Sequence, residues 1–147
     1  MKTTFTIDID APPSKVFYWL TDSDRLLEWV PNLIEHEEIE NLDGVVGSTD
    51  RHVYLENDRR TEMEGVVVAY EQDERVATEL RSKGFMLFLD YRLEDLGGST
   101  RLTQDCDVVF RGFFKIIGIC MGRLVKKGAE QKLAESFGVL KQKIESS

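Results

Sequence analysis

The sequence predicts an α+β domain in which a curved, seven-stranded antiparallel sheet wraps around a long C-terminal helix, with two short helices between strands one and two. Three observations predict it. Residues 33–110 are runs rich in Val, Ile, Tyr and Phe, separated by hairpin-short turn chemistry. Residues 114–145 contain no proline and carry an apolar stripe at helical spacing. Between Asp10 and Pro31 lie two short segments with helix start and stop signals. At 147 residues the chain is the size of one domain, and a domain this long buries roughly 70% of its unfolded surface. No linker or repeat interrupts it, so residues 1–147 are expected to form a single unit.

In order, "TFTIDID" alternates Phe5, Ile7 and Ile9 with Thr4, Thr6, Asp8 and Asp10, the period of a half-buried strand. The prolines of "APPSKVFYWLTD" stop that strand, Ser14 is the expected cap, and Val16, Phe17 and Leu20 recur at helical spacing. In "SDRLLEWVP", Ser23 or Asp24 can cap a second helix that buries Leu26, Leu27 and Trp29 before Pro31 ends it. "NLDGVVG", "ENDRR", "EQDER", "RSKG" and "EDLGGS" then divide the remaining text into six strands. "FMLFLDYRLED" sets Phe85, Leu87, Leu89, Tyr91 and Leu93 against Asp90, Arg92 and Glu94. "STRLTQDCDVVF" sets Leu102, Gln104, Cys106, Val108 and Phe110 against Arg101, Thr103, Asp105 and Asp107. Only one face of such a sheet is wet, so the terminal helix must cover the other. Its stripe is large in the second half (Leu133, Phe137, Leu140, Ile144) and small in the first, at Gly118, Gly122, Gly128 and Ala129.

Composition removes several classes of function. A net charge of −8 argues against non-specific nucleic-acid binding, which requires a basic surplus. The chain enters its first strand directly after Met1, without an apolar signal core, so a cytoplasmic protein is expected. Cys106 and Cys120 form no CxxC and are expected to be reduced packing residues. There is no G-x-S-x-G, "GVVGSTD" lacks the lysine of a phosphate loop, and "DSDRLLEW" lacks the glycine of a calcium loop.

The element order, the "APPSKVFYWLTD" entry, Trp29 and Pro31 of "W-x-P", the "GST" after "VVG", the "GGSTRLT" strand and the closing "LKQKIE" together resemble the START-like helix-grip superfamily, also called SRPBCC or polyketide cyclase/dehydrase-like. The resemblance covers essentially the whole chain. It implies a deep, largely apolar cavity between sheet and helix, which in relatives holds lipids, sterols, quinones, hormones or polyketides. Some relatives are cyclases or hydrolases, some are carriers, and some bind protein partners, so the resemblance leaves the chemistry open.

In that fold the expected ligand-binding positions are Trp29, Arg51, Val53, Leu55, Met63, Leu87, Leu89, Tyr91, Gln104, Cys106, Met121 and Val125, with Val67, Leu80 and Leu102 beside them. Polar anchors are sought at Arg51, Tyr91 and Gln104, because a buried amide, phenol or guanidinium needs a partner. Arg51 can equally answer a protein carboxylate such as Glu62 or Glu64. His36 and His52 lie on or beside successive strands, which makes a two-His, one-carboxylate metal site conceivable. Their strand parity is ambiguous and no H-x-x-x-H helix exists, so no metal or cofactor is expected. Residues 111–128 hold Arg111, Lys115, Arg123, Lys126 and Lys127 with no acid, suited either to a loop and first helical turn whose aromatics close the cavity mouth or to transient contact with an anionic membrane or a protein. The leading expectation is a protein that binds or carries a small hydrophobic ligand. An enzyme of the cyclase, dehydratase or hydrolase type, and a partner-binding module acting through the basic stretch, are the alternatives.

Overall fold

The computed structural model describes residues 2–147, and the side chains of all of these except 113–126 and 129. β1 (Lys2–Ile9) ends where Pro12 and Pro13 remove ladder donors, and α1 (Pro13–Thr21) starts on them. Ser14 is not the cap. Pro12 occupies the N-cap without a side-chain bond, and Pro13 opens the first turn, where its missing N–H has nothing to satisfy. α2 (Ser23–Trp29) is capped by neither Ser23 nor Asp24 but by Asp22, whose Oδ2 accepts from the Arg25 amide at 3.2 Å. Leu27 on this helix is exposed, contrary to expectation.

The six strands expected between Leu33 and Phe110 are β2 (Leu33–Glu40), β3 (Thr49–Glu56), β4 (Arg59–Glu71), β5 (Arg75–Arg81), β6 (Phe85–Asp95) and β7 (Thr100–Phe110). With β1 they form one antiparallel sheet in the order β1-β7-β6-β5-β4-β3-β2, so β1 and β2 are its edges. α3 (Phe113–Ser146) follows, completing the helix-grip arrangement. β3 and β4 are joined by the two residues Asn57 and Asp58, both at positive φ, as a right-twisting two-residue hairpin requires. The β2 edge is acidic, which discourages pairing with a further strand.

The main cluster of buried apolar side chains joins the sheet to all three helices. Ile9, Val16, Leu20, Trp29 and Leu102 meet Phe137, Leu140 and Ile144 from the second half of α3. Phe137 stacks on Phe5 with ring centres 5.1 Å apart, and Trp29 tilts against Phe137 at 5.8 Å. On the opposite face of the sheet, Asp90 is buried rather than wet. Arg75 grips its carboxylate with two bonds of 3.0 Å, and Arg92 adds a third of 3.0 Å. Of the basic stretch, Arg111 and Lys127 are exposed, while Lys115, Arg123 and Lys126 lie outside the described side chains. Among the described residues no helix is long and apolar enough to cross a membrane.

Candidate functional site

Residues directly opposite in a sheet share a face, so the register sorts the strands into an inner and an outer side. Tyr91 pairs with Val76 and Gln104, Leu89 with Thr78 and Cys106, Leu87 with Leu80 and Val108. Leu80 pairs with Gly65 and Gly65 with Asp50, while His52 pairs with Met63 and with His36. On β3 the inner residues are therefore Asp50, His52 and Tyr54. The expected inward set of Arg51, Val53 and Leu55 faces the other way.

Arg51 is an outer-face residue. Its guanidinium holds Glu62 at 2.8 Å and Glu35 at 3.2 Å, with Glu37 at 3.7 Å, the protein-carboxylate alternative. Val53 is fully buried on that same side, opposite Glu62 and Glu35, and Leu55 is exposed.

A cavity of about 360 Å³ opens on the inner side of β2–β6, within the range of small-molecule sites. Its apolar wall includes Leu20, Leu26, Val30, Leu33, Val67, Val76, Leu80 and Leu89, and the loop between β2 and β3 adds Leu42 and Val45. Val45 holds φ at 70°, a costly conformation for a β-branched residue. Leu89 and Tyr91 of the expected positions reach this wall. Trp29 does not: its indole N–H donates to the Trp19 carbonyl at 2.9 Å and its ring belongs to the core, so Leu26 of α2 and Val30 just after it reach the wall. Met63, Leu87, Gln104 and Cys106 share the inner side of the sheet without being part of the described wall. Met121 and Val125 lie outside the described side chains.

Tyr91 and Gln104 form one polar feature. The Gln104 amide donates to the Tyr91 hydroxyl at 2.8 Å, while its own Oε1 is buried without a partner among the described residues. Burial pushes the Tyr91 phenol well above its usual range, and it pushes the half-buried Cys106 thiol up as well.

The second polar feature is where sequence reasoning stopped short. His36 Nε2 lies 2.9 Å from Asp50 Oδ2, and His52 Nε2 approaches Asp50 Oδ1 to 3.0 Å. The two imidazoles meet edge to face with centres 4.6 Å apart, and the Tyr54 ring lies parallel to His52 at 6.2 Å. Ser23, which Asp22 releases from capping duty, places its Oγ 2.6 Å from His36 Nδ1. Burial opposes ionisation of Asp50, but the His36 hydrogen bond and the close approach of His52 outweigh it and hold the carboxyl well below the usual carboxylate range. His36, Asp50, His52 and Tyr54 all line the cavity.

Burial, then the Asp50 charge, pushes the Tyr54 phenol up to about 12. Because that value is raised above the ~10 of an unfolded phenol, its contribution to stability is complete below about pH 10 and lost as pH rises through 12. An alkaline titration followed by phenolate absorbance should show a component half-ionised near pH 12 that disappears in Tyr54→Phe.

Residues 1–145 match the family described as "Polyketide cyclase / dehydrase and lipid transport". The chain belongs to this family. No curated protein matches the sequence. Among solved structures, a START superfamily protein from Mycobacterium smegmatis superposes with a TM-score of 0.81 at 18% identity, over 99% of this chain and 97% of that one. The Zhui aromatase/cyclase from Streptomyces sp. R1128 gives 0.79 at 14% identity, over 99% and 93%. The protein TTHA0849 from Thermus thermophilus gives 0.78 at 14% identity, over 98% and 97%. At these identities the likeness is one of fold. Within the polyketide cyclase/dehydrase and lipid transport family, what this chain binds depends on its own cavity.

Proposed function

We propose that the chain binds or carries a small hydrophobic molecule bearing one polar group. The observation that carries this reading is the cavity of about 360 Å³, whose wall is aliphatic over most of its extent and polar at the β2–β3 end. An apolar body gains by leaving water for such a wall, and its polar group finds His52, Tyr54 or the Tyr91 hydroxyl instead of an unsatisfied burial. The family description, which joins lipid transport with polyketide cyclisation, supports a ligand of this kind. Native mass spectrometry with an apolar fluorescent probe tests it. One probe per chain is expected, and Leu89→Trp, which fills the space from the β6 side, should abolish uptake in a folded protein. No uptake by the parent chain, or unchanged uptake by Leu89→Trp, refutes it.

A second reading has its own observation: several titratable groups converge on one point of the cavity. His52 beside an ionised Asp50, with the Tyr54 phenol stacked against it, is an acid–base set suited to a cyclase or dehydratase. The aromatase/cyclase among the structural relatives raises this reading by analogy of fold. In that case His52→Ala would retain probe uptake while losing turnover of a polyketide-like substrate.

A further inference from the structure

We propose that His36, Asp50 and His52 form a binding site for a divalent transition-metal cation of the Zn²⁺ or Co²⁺ type, with its open coordination positions facing the cavity. The three side chains offer ligand atoms that all lie within 4.8 Å of one another. Two of the separations, 2.9 Å and 3.0 Å, already suit a shared ion. Zinc–nitrogen and zinc–oxygen bonds of about 2.0–2.2 Å put neighbouring ligand atoms roughly 3 Å apart.

Three further observations turn proximity into a site. His52 is only 8% exposed, yet among the described residues neither of its ring nitrogens has a hydrogen-bond partner, and Asp50 Oδ1 has none either, despite their 3.0 Å approach. Buried polar atoms are normally satisfied, and a cation lying between them would satisfy both. His36 has the outer support that metal-binding histidines use: with Nδ1–H donating to Ser23 Oγ at 2.6 Å, Nε2 can exchange its 2.9 Å bond to Asp50 for a shared cation. Among the described residues no lysine or arginine lines the cavity, whereas Glu38 joins Asp50 on its wall. Among the described residues of that wall, the only groups able to meet the carboxylate with positive charge are the two imidazoles.

The donor set selects the ion class. Two imidazoles and one carboxylate suit zinc, cobalt, nickel or ferrous iron, whereas magnesium and calcium prefer all-oxygen sites. Three protein ligands leave at least one position for water or for the polar group of a cavity ligand. The proposal stands apart from ligand carriage, because the metal alone is the probe.

The chain has two histidines, both in the site, so every imidazole resonance reports on it. Chelator-stripped protein without a polyhistidine tag is titrated with Zn²⁺ while the histidine ring nitrogens are followed by NMR, and with Co²⁺ by visible absorption. One equivalent per chain should move both rings together and produce cobalt ligand-field bands. His52→Ala and Asp50→Asn should each weaken binding by more than tenfold, and Ser23→Ala by about tenfold, the effect typical of an outer-shell partner. Ser23→Ala also serves if removal of a ligand unfolds the chain. Movement of one ring only, binding that leaves both rings unmoved, or unchanged affinity in Ser23→Ala together with the folded ligand variants would overturn the proposal. In the last two cases the metal sits on the acidic surface, or the trio is merely a hydrogen-bonded His–Asp–His chain.

Discussion

Phe137→Ala should lower stability by about 3–5 kcal/mol, the range for emptying a buried phenylalanine site. Phe137 is fully buried, and its ring is the meeting point of three elements: it stacks on Phe5 of β1, leans on Trp29 of α2, and shares its cluster with Leu102 of β7. Each aromatic pair adds roughly 0.5–1.5 kcal/mol beyond area burial, and neither neighbour can follow the retreating side chain without leaving the other. Against a total stability of about 5–15 kcal/mol for a domain, the loss is severe. The urea midpoint should fall with little change in slope. Because Phe137 is not among the described residues that line the cavity, a folded Phe137→Ala protein should still take up an apolar probe. A loss below about 1 kcal/mol would mean that the clamp between α3 and β1 lies elsewhere.

The contrast between an apolar core and a partly polar cavity wall explains what the sequence discloses and what it withholds. The core was legible because each element there obeys its period: Phe5, Ile7 and Ile9 alternate, Val16 and Leu20 are four apart, and Phe137, Leu140 and Ile144 follow a helix face. On β3 the same rule misleads. Hydrophobicity chooses Arg51, Val53 and Leu55 as inward, yet the cavity wall at that end is polar, and Val53 is buried on the opposite face among the Arg51 ion pairs. A period-2 pattern reports burial in apolar surroundings, and a polar cavity wall inverts it.

A better signal was available in the turn. Two residues, Asn57 and Asp58, join β3 to β4, so Glu56 must face Arg59, and counting back places His52 opposite Met63 and Val53 opposite Glu62. Met63 was already inward on its own pattern, which carries His52 inward with it. Placing both Val53 and Met63 inward therefore contradicts the hairpin. Trp29 misled for another reason. The sequence offers Trp29 of the W-x-P motif to the cavity, but only the fold shows the Trp19 carbonyl accepting from its N–H. Asp90 likewise alternates as a wet residue; Arg92 shares its face two residues on, but only the register adds Arg75 from β5.

Gly65→Ala should cost about 2–4 kcal/mol, although alanine in a strand interior ordinarily gains about 0.5–1 kcal/mol over glycine. Gly65 is the cross-strand partner of Asp50, and a methyl group there would occupy the space of the Asp50 carboxylate and come to 2.9 Å from Leu80 Cδ2. The leucine methyl can yield, but the carboxylate can move only by giving up His36 and His52. It would then be an ionised group in a cavity wall whose described residues offer it no lysine or arginine, and stranding a charge costs several times the glycine-to-alanine gain. A double-mutant cycle separates this mechanism from general crowding. In an Asp50→Ala background only the yielding Leu80 methyl remains in the way, so Gly65→Ala should become neutral or stabilising by up to about 1 kcal/mol. Urea unfolding of the four proteins measures the coupling. If the two substitutions add, Gly65 is not what holds Asp50 between the histidines, and the geometry of the polar end must be maintained from the β2 side instead.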